Sequence, residues 1–226
     1  MHKHSPVYTH HMTHGATMAE RAGWLVPERY TFPEQESAAL RDSVGLIDRS
    51  DVGKIELNGK GLTPWSSGVY KTEVMPQQTA YLTVADGVTG LCCWLRRDQG
   101  LMIVPADATD AALAALADGR EERLHITDVT SVYCALQLLG PRSLDVLHRI
   151  TPLDVRPSRL PSGACVQGSA MKVSVLLIRD DLAGLPAFWL LVPRSYGEFV
   201  WKAVCNAGED FGLHAIGYRA YQTLDT

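Results

Sequence analysis

The sequence predicts an α+β fold, and three observations carry that prediction. Short apolar runs of strand character gather between residues 45 and 139 and again between 172 and 192. Helical patterns interrupt them near 33–44, 109–117 and after 140. The two kinds of segment do not alternate regularly, as a doubly wound parallel sheet requires. A chain of 226 residues buries a sizeable core, as one large domain or as two intimately packed mixed subdomains.

The elements follow in order. Residues 1–14 hold five of the eight histidines, His2, His4, His10, His11 and His14, and read as a polar N-terminal arm. Imidazole suits zinc, copper or nickel, but no acidic or Cys partner lies nearby, so no metal site is assigned. Pro33 to Val44 reads as a helix: Pro33 suits the first turn, Glu34 and Glu36 favour its positive end, and Gly45 suits a left-handed stop. Gly45–Asp48 and Lys54–Leu57 read as strands, with Asn58-Gly59 as a turn. Residues 60–77 are ambiguous, because Pro64, Gly68 and Pro76 break any period. Ala80–Ala85 and Leu91–Leu95 form a hairpin around Asp86-Gly87, and Leu101–Val104 adds a strand.

Thr109–Ala117 is an alanine-rich helix closed by Gly119. Leu124–Val129 and Val132–Leu139 return to strand character. Gly140-Pro141 opens a helix with Leu144, Leu147 and Ile150 on one face, and the proline-rich stretch 151–162 is a connection. Lys172–Ile178 and Pro186–Val192 are strands. Ser195 and Glu198 have capping-box spacing before a helix that Gly208 closes. The domain reading is a histidine-rich arm, 1–14, and a single domain, 15–226, with a seam near 140–160.

Composition excludes several function classes. Hydrophobic residues make up 46%, charged residues 20%, and the net charge is −4. No Lys/Arg run exceeds Arg96-Arg97, so there is no electrostatic footprint for nucleic acid. Apolar stretches such as Phe188–Val192 fall far short of the roughly 20 residues that cross a bilayer. The N-terminus lacks the apolar stretch of a secretory leader. Five cysteines without Cys-x-x-Cys spacing suit a reduced, cytoplasmic protein. Motifs of dinucleotide, P-loop, nucleophile-elbow and zinc-protease sites are missing.

Several segments stand in a recognisable order. They are His14-Gly15-Ala16, Ala22–Tyr30, Ser43–Asp48 leading into Gly53–Leu57, Leu138–Leu147, Leu191-Val192-Pro193 with Trp201 and Gly208, and Gly212–Ala220. Together they resemble the glycine-cleavage T-protein (aminomethyltransferase) family in its N-terminal folate-binding region, over residues 8–222. Sarcosine oxidase gamma-type subunits are similar, shorter relatives. The resemblance implies that fold with the C-terminal β-barrel absent, and tetrahydrofolate as the cofactor in a central funnel.

It also implies where chemistry should sit. The family's tract with an essential carboxylate corresponds to Ala80-Tyr81 followed by Thr89–Trp94, where Tyr81 is retained and the acidic positions are Cys93 and Trp94. A free thiol titrates near ~8.5, so Cys93 is no substitute for a carboxylate at neutral pH. The alternative reading of Cys92 and Cys93 is that of small buried hydrophobes on a strand. Trp189 stands where the family places a glutamate facing the pterin; it either stacks on a flat ring or fills core. Arg219 matches an arginine near the folate tail and either clamps a carboxylate or forms a structural ion pair.

The cofactor-binding candidates are therefore Tyr81, Trp189 and Arg219, with no catalytic residue assigned. Two functions follow from the resemblance. One is a degenerate accessory or subunit in tetrahydrofolate-linked one-carbon or N-methyl amine metabolism, with a folate-like ligand and a protein partner in a hetero- or homo-oligomer. The other is an active tetrahydrofolate-dependent aminomethyl- or methyltransferase whose acid comes from another position, such as Asp86 or Asp48, or from a partner. A third, structural reading has the pocket filled by Trp189 and Trp94.

Overall fold

A computed structural model describes residues 2–118 and 122–224. The chain divides into two units: residues 1–51, 132–162 and 167–226 form the first, and residues 52–131 and 163–166 form the second.

In the first unit, five strands run in the order Leu213–Ala215, Val44–Asp48, Tyr133–Leu139, Ala187–Pro193, Val173–Arg179. Leu213–Ala215 pairs with Val44–Asp48 in parallel, and the other pairs are antiparallel. Val44–Asp48 and nearly all of Ala187–Pro193 are buried, which is why they read as continuous apolar runs rather than alternating ones. A small sheet of Lys3–His4, Trp24–Arg29 and Thr17–Arg21 accompanies it. Trp24, Val26, Leu40, Ile47, Leu139, Ala187, Ile216 and Tyr218 form one core cluster.

In the second unit, Gln78–Ala85, Val88–Arg96, Gln99–Val104, Gly53–Asn58 and His125–Asp128 form an antiparallel sheet in that order, and Ala164 pairs with Gln78 at its edge. Helices Leu62–Val69 and Thr109–Ala117 belong to this unit. Leu62, Trp65, Trp94, Met102, Ala112 and Leu116 are among its core residues. The stretch 60–77, ambiguous in sequence, contains that first helix; Pro64 lies in its opening turn, where a missing N–H costs nothing. The expected stop at Gly119 lies outside the described residues.

Several local expectations change. The helix Pro33–Asp42 ends before Val44, and Gly45 is mid-strand. A Cβ there would meet Leu40 at 2.6 Å, so the glycine serves close approach rather than a left-handed stop. Glu36 does more than answer the helix dipole. Its buried carboxylate accepts the backbone N–H groups of Tyr30, Thr31 and Gly217, each at 2.7 Å.

The Ser195/Glu198 capping box does not form: no side-chain cap bonds the helix Gly197–Gly208, and Glu198 instead pairs with Lys202 at 2.7 Å. The helix does end at Gly208, and Gly212, at φ 68°, takes the left-handed conformation after the short turn Glu209–Phe211 that follows. The buried stripe of Ser143–Ile150 is Ser143, Val146, Leu147 and Ile150, displacing Leu144.

The N-terminal segment belongs to the first unit. Lys3–His4 pairs with Trp24–Leu25, Tyr8–Thr13 is helical, and Val7 and His11 are fully buried. The expected seam at 140–160 lies largely inside that unit, because backbone bonds tie Gly140 to Pro186, Arg142 to Ser43 and Met171 to Ile150.

Candidate functional site

Cys93 lies in the strand Val88–Arg96, flanked by Gln78–Ala85 and Gln99–Val104, and is fully buried. Thr79 and Leu101 oppose it. Cys92 and Trp94 face the other way, into the core with Met102. Burial pushes the Cys92 thiol well above its ordinary range, with Cys165 adding to the rise. Tyr81, paired with Leu91, shares the Cys93 face and is 63% exposed. A sealed thiol beside an exposed phenol is no general acid–base pair.

Trp189 and Arg219 belong to the first unit, Tyr81 to the second. Trp189 is 5% exposed and joins a cluster centred on Arg49. The Arg49 guanidinium lies 5.3 Å from the Trp189 ring, 5.2 Å from Tyr218 and 4.4 Å from Tyr221. Its Nε donates to the Tyr218 hydroxyl at 2.9 Å, and that hydroxyl donates to the carboxylate of Asp51. Burial opposes the Arg49 charge, but Tyr218, Tyr221 and Asp51 more than offset it, and the guanidinium pKa is raised. Burial, above all, lifts the Tyr218 phenol well above its ordinary value. This set holds a cation against aromatic faces, a strong arrangement when desolvated.

Buried polar atoms without a hydrogen-bond partner in this cluster include Arg49 Nη1, Trp189 Nε1 and Gln137 Oε1. Register explains their convergence. Gln137 lies directly opposite Trp189 on one side and Ile47 on the other, and Arg49 follows Ile47 by two residues. All three side chains therefore stand on one face of the sheet.

On the opposite face, Asp48 accepts from His11 Nε2 at 2.9 Å, and Tyr30 O–H meets His11 Nδ1 at 2.6 Å. Asp48 also accepts the Ser50 backbone N–H at 2.9 Å. Its place as a supplier of acid is thereby taken up by folding. Asp86, the other acid considered, is exposed in the hairpin turn.

Arg219 is exposed and donates to Glu28 at 3.0 Å, and Arg21 takes the other Glu28 oxygen at 3.0 Å. Arg21 also lies over the Tyr218 ring at 4.9 Å. Arg219 is thus engaged in an ion pair, while its neighbour Tyr218 enters the Trp189 cluster. Sequence reasoning missed Arg49, Asp51, Gln137, Tyr218 and Tyr221. The one legible signal was Gln137, a lone polar residue in the apolar run Cys134–Leu139. Among the described residues, no three His, Cys, Asp or Glu side chains gather to hold a metal. Nor is any helix among them long and apolar enough to cross a membrane.

An aminomethyltransferase of Desulforamulus reducens is 30% identical over 230 residues, covering 98% of this chain and 63% of its own length. One from Geobacillus thermodenitrificans is 27% identical over 233 residues, again with 98% and 63% coverage. The chain thus spans about 63% of these relatives.

The crystal structure of glycine cleavage system aminomethyltransferase T from Bartonella henselae superposes with a TM-score of 0.84 at 19% identity, covering 99% of this chain and 62% of that one. A chain of heterotetrameric sarcosine oxidase from Corynebacterium sp. U-96 gives a TM-score of 0.61 at 18% identity, covering 83% of this chain and 96% of that one. The GCVT N-terminal domain family matches residues 7–226. With its α+β fold and this match along nearly its whole length, the chain belongs to the GCVT N-terminal domain family.

Proposed function

We propose that this chain is an accessory or subunit in tetrahydrofolate-linked one-carbon or N-methyl amine metabolism, without a catalytic acid of its own. One observation carries the reading. Cys93, at the position where the resemblance calls for a carboxylate, is fully buried in the middle of an apolar strand. A thiol sealed there supplies neither the charge nor the positioning that a cationic one-carbon transfer state needs. Retention of Tyr81 and Arg219 supports a folate-like ligand. The heterotetrameric assembly of the sarcosine oxidase neighbour supports a protein partner.

The test has two parts. Calorimetric titration with tetrahydrofolate should show binding, weakened by Tyr81→Ala and Arg219→Ala, while the purified chain alone turns over no aminomethyl donor. Tagged chain recovered from its native host should carry a stoichiometric partner. Turnover by the chain alone would overturn the reading.

A second reading is an active tetrahydrofolate-dependent transferase whose acid sits elsewhere. Asp51 favours it, as a carboxylate 5% exposed within the Trp189 cluster. Turnover abolished by Asp51→Asn would establish that alternative.

A further inference from the structure

The helix Tyr8–Thr13 carries histidines and no acidic residue, and it meets the helix Gly197–Gly208 within the first unit. The His10 and His14 rings stack with centroids 3.7 Å apart, and the His10 and His11 rings stand edge-on to Trp201 at 6.1 and 4.9 Å. His14 Nδ1 donates to the His10 carbonyl at 2.8 Å, which keeps the stack closed. The anchors of this segment are local. His11 holds Asp48 and Tyr30, Ser5 also bonds Asp48, and Arg194 donates to the His4 carbonyl at 2.7 Å. Lys3–His4 pairs with Trp24–Leu25 over two residues.

This packing suits uncharged rings. Around His10 the titratable and charged groups are His11 and His14 on its own helix, and Lys202 and Glu198 on the facing one. Glu198 is poorly placed to answer a new positive charge, because Lys202 already holds it at 2.7 Å. Behind His11 stand Asp48 and Tyr30, with Glu36 and Cys205 near the Tyr30 hydroxyl. Two imidazolium rings stacked face to face repel, and burial disfavours the charged form further.

We propose that residues 3–14 form an acid-released clasp: protons taken up by the stacked His10–His14 pair lift this segment as one piece while the rest of its unit stays folded. Lifting uncovers Trp201, parts Asp48 from His11 and opens the edge of the strand Trp24–Arg29. The sign of the coupling follows from His10. Its pKa is lowered from 6.5 to about 4, by burial first and then by His14, His11 and Lys202, so the released segment binds the proton more readily than the seated one. Release is therefore favoured as pH falls through that interval, by at most about thirtyfold near pH 5. Asp48, held below the ordinary carboxylate range, is still ionised there and does not drive this step.

The experiment is amide hydrogen exchange on the intact chain at about pH 7.5 and about pH 5, expressed as protection factors so that the intrinsic pH dependence of exchange cancels. The amides of His11, His14 and Ala16 donate to the carbonyls of Val7, His10 and His11 and report the clasp. Amides of the central strand Ala187–Pro193 report the rest of the unit. The clasp amides should lose protection by about fivefold or more at the lower pH, while the strand amides keep theirs. In the double variant His10→Gln/His14→Gln that loss should stay below about fivefold. A smaller loss in the parent overturns the proposal, as does an equal loss in the strand or a full loss that persists in the double variant.

Discussion

His11 Nε2 lies 2.9 Å from Asp48 Oδ2, with both side chains sealed from solvent. An ionised carboxylate only accepts, so Nε2 carries the proton. The pair pins the helix Tyr8–Thr13 to the strand Val44–Asp48, and Trp201 closes over it with its ring 4.9 Å from the imidazole. Replacing His11 by Leu leaves a buried carboxylate without its donor. Such a break typically costs about 3–5 kcal/mol. Urea unfolding of His11→Leu against the parent should show that loss, and Asp48→Asn should restore part of it in the double variant.

Asp48 also predicts an acid limb. Burial alone would raise its pKa, but the hydrogen bonds from His11, Ser5 and Ser50 outweigh it and hold the carboxyl below its ordinary value. The unfolded chain therefore binds the proton first. The resulting stability is present above about pH 4 and is lost as pH falls below it. Thermal midpoints measured between about pH 6 and pH 3 should fall steeply in the parent and less steeply in Asp48→Asn.

His10 acts in the same direction, as a base that becomes charged on protonation. Burial first, then His14, His11 and Lys202, lower its pKa from 6.5 to about 4. The unfolded chain binds more protons than the folded one between those two values. Stability should consequently decline as pH drops from about 6.5 toward 4, and His10→Gln should flatten that interval. An unchanged profile in His10→Gln would remove this histidine from the account.

Gly217 tests the anchorage of Tyr218. A Cβ at this position would lie 2.3 Å from the Glu28 carbonyl oxygen and 2.5 Å from the Arg29 nitrogen. Neither is a flexible side-chain tip, so Gly217→Ala must displace backbone. Overpacking of this kind costs about 1–3 kcal/mol. Circular dichroism melts should report the loss, accompanied by faster exchange of the Gly217 amide, which donates to Glu36 at 2.7 Å.

The thiols give a labelling pattern. Cys92, Cys93, Cys134 and Cys165 are buried; only Cys205 is partly exposed, and burial pushes its pKa up to about 11. Thiolate is the reactive form. A thiol reagent near pH 8 should modify Cys205 first, more slowly than a free cysteine, and reach the other four on unfolding. Rapid native modification of Cys93 would contradict its role as core.

The parts of the fold that the sequence disclosed are those governed by local rules. The hairpin around Asp86-Gly87, the helix Thr109–Ala117 and the strand Gly53–Asn58 follow from turn chemistry, propensity and alternation. The hairpin that returns Ala164–Ala170 into Val173–Arg179 was only half seen. Its turn residues, Met171 and Lys172, hold φ 51° and 65°, where Asn-Gly is the usual signature.

The site was harder to read for a different reason. Trp189 was singled out through resemblance, but its neighbours Arg49, Gln137 and Tyr218 meet it only through strand pairing and the short helix Tyr218–Gln222. Glu36 shows the same limit: helix position suggested a dipole role, while its Gly217 partner stands far along the chain.

The parallel pairing of Leu213–Ala215 with Val44–Asp48 has a consequence for biosynthesis. An early strand must wait on the ribosome, flanked by nothing on one edge, until a segment near residue 213 has been translated. Throughout that interval Arg49 lacks Tyr218 and Tyr221 as well, so a lone cation stands at the end of a greasy ribbon. Closing so long a loop is slow, and nascent chains of this kind should be clients of chaperones that shield β-edges.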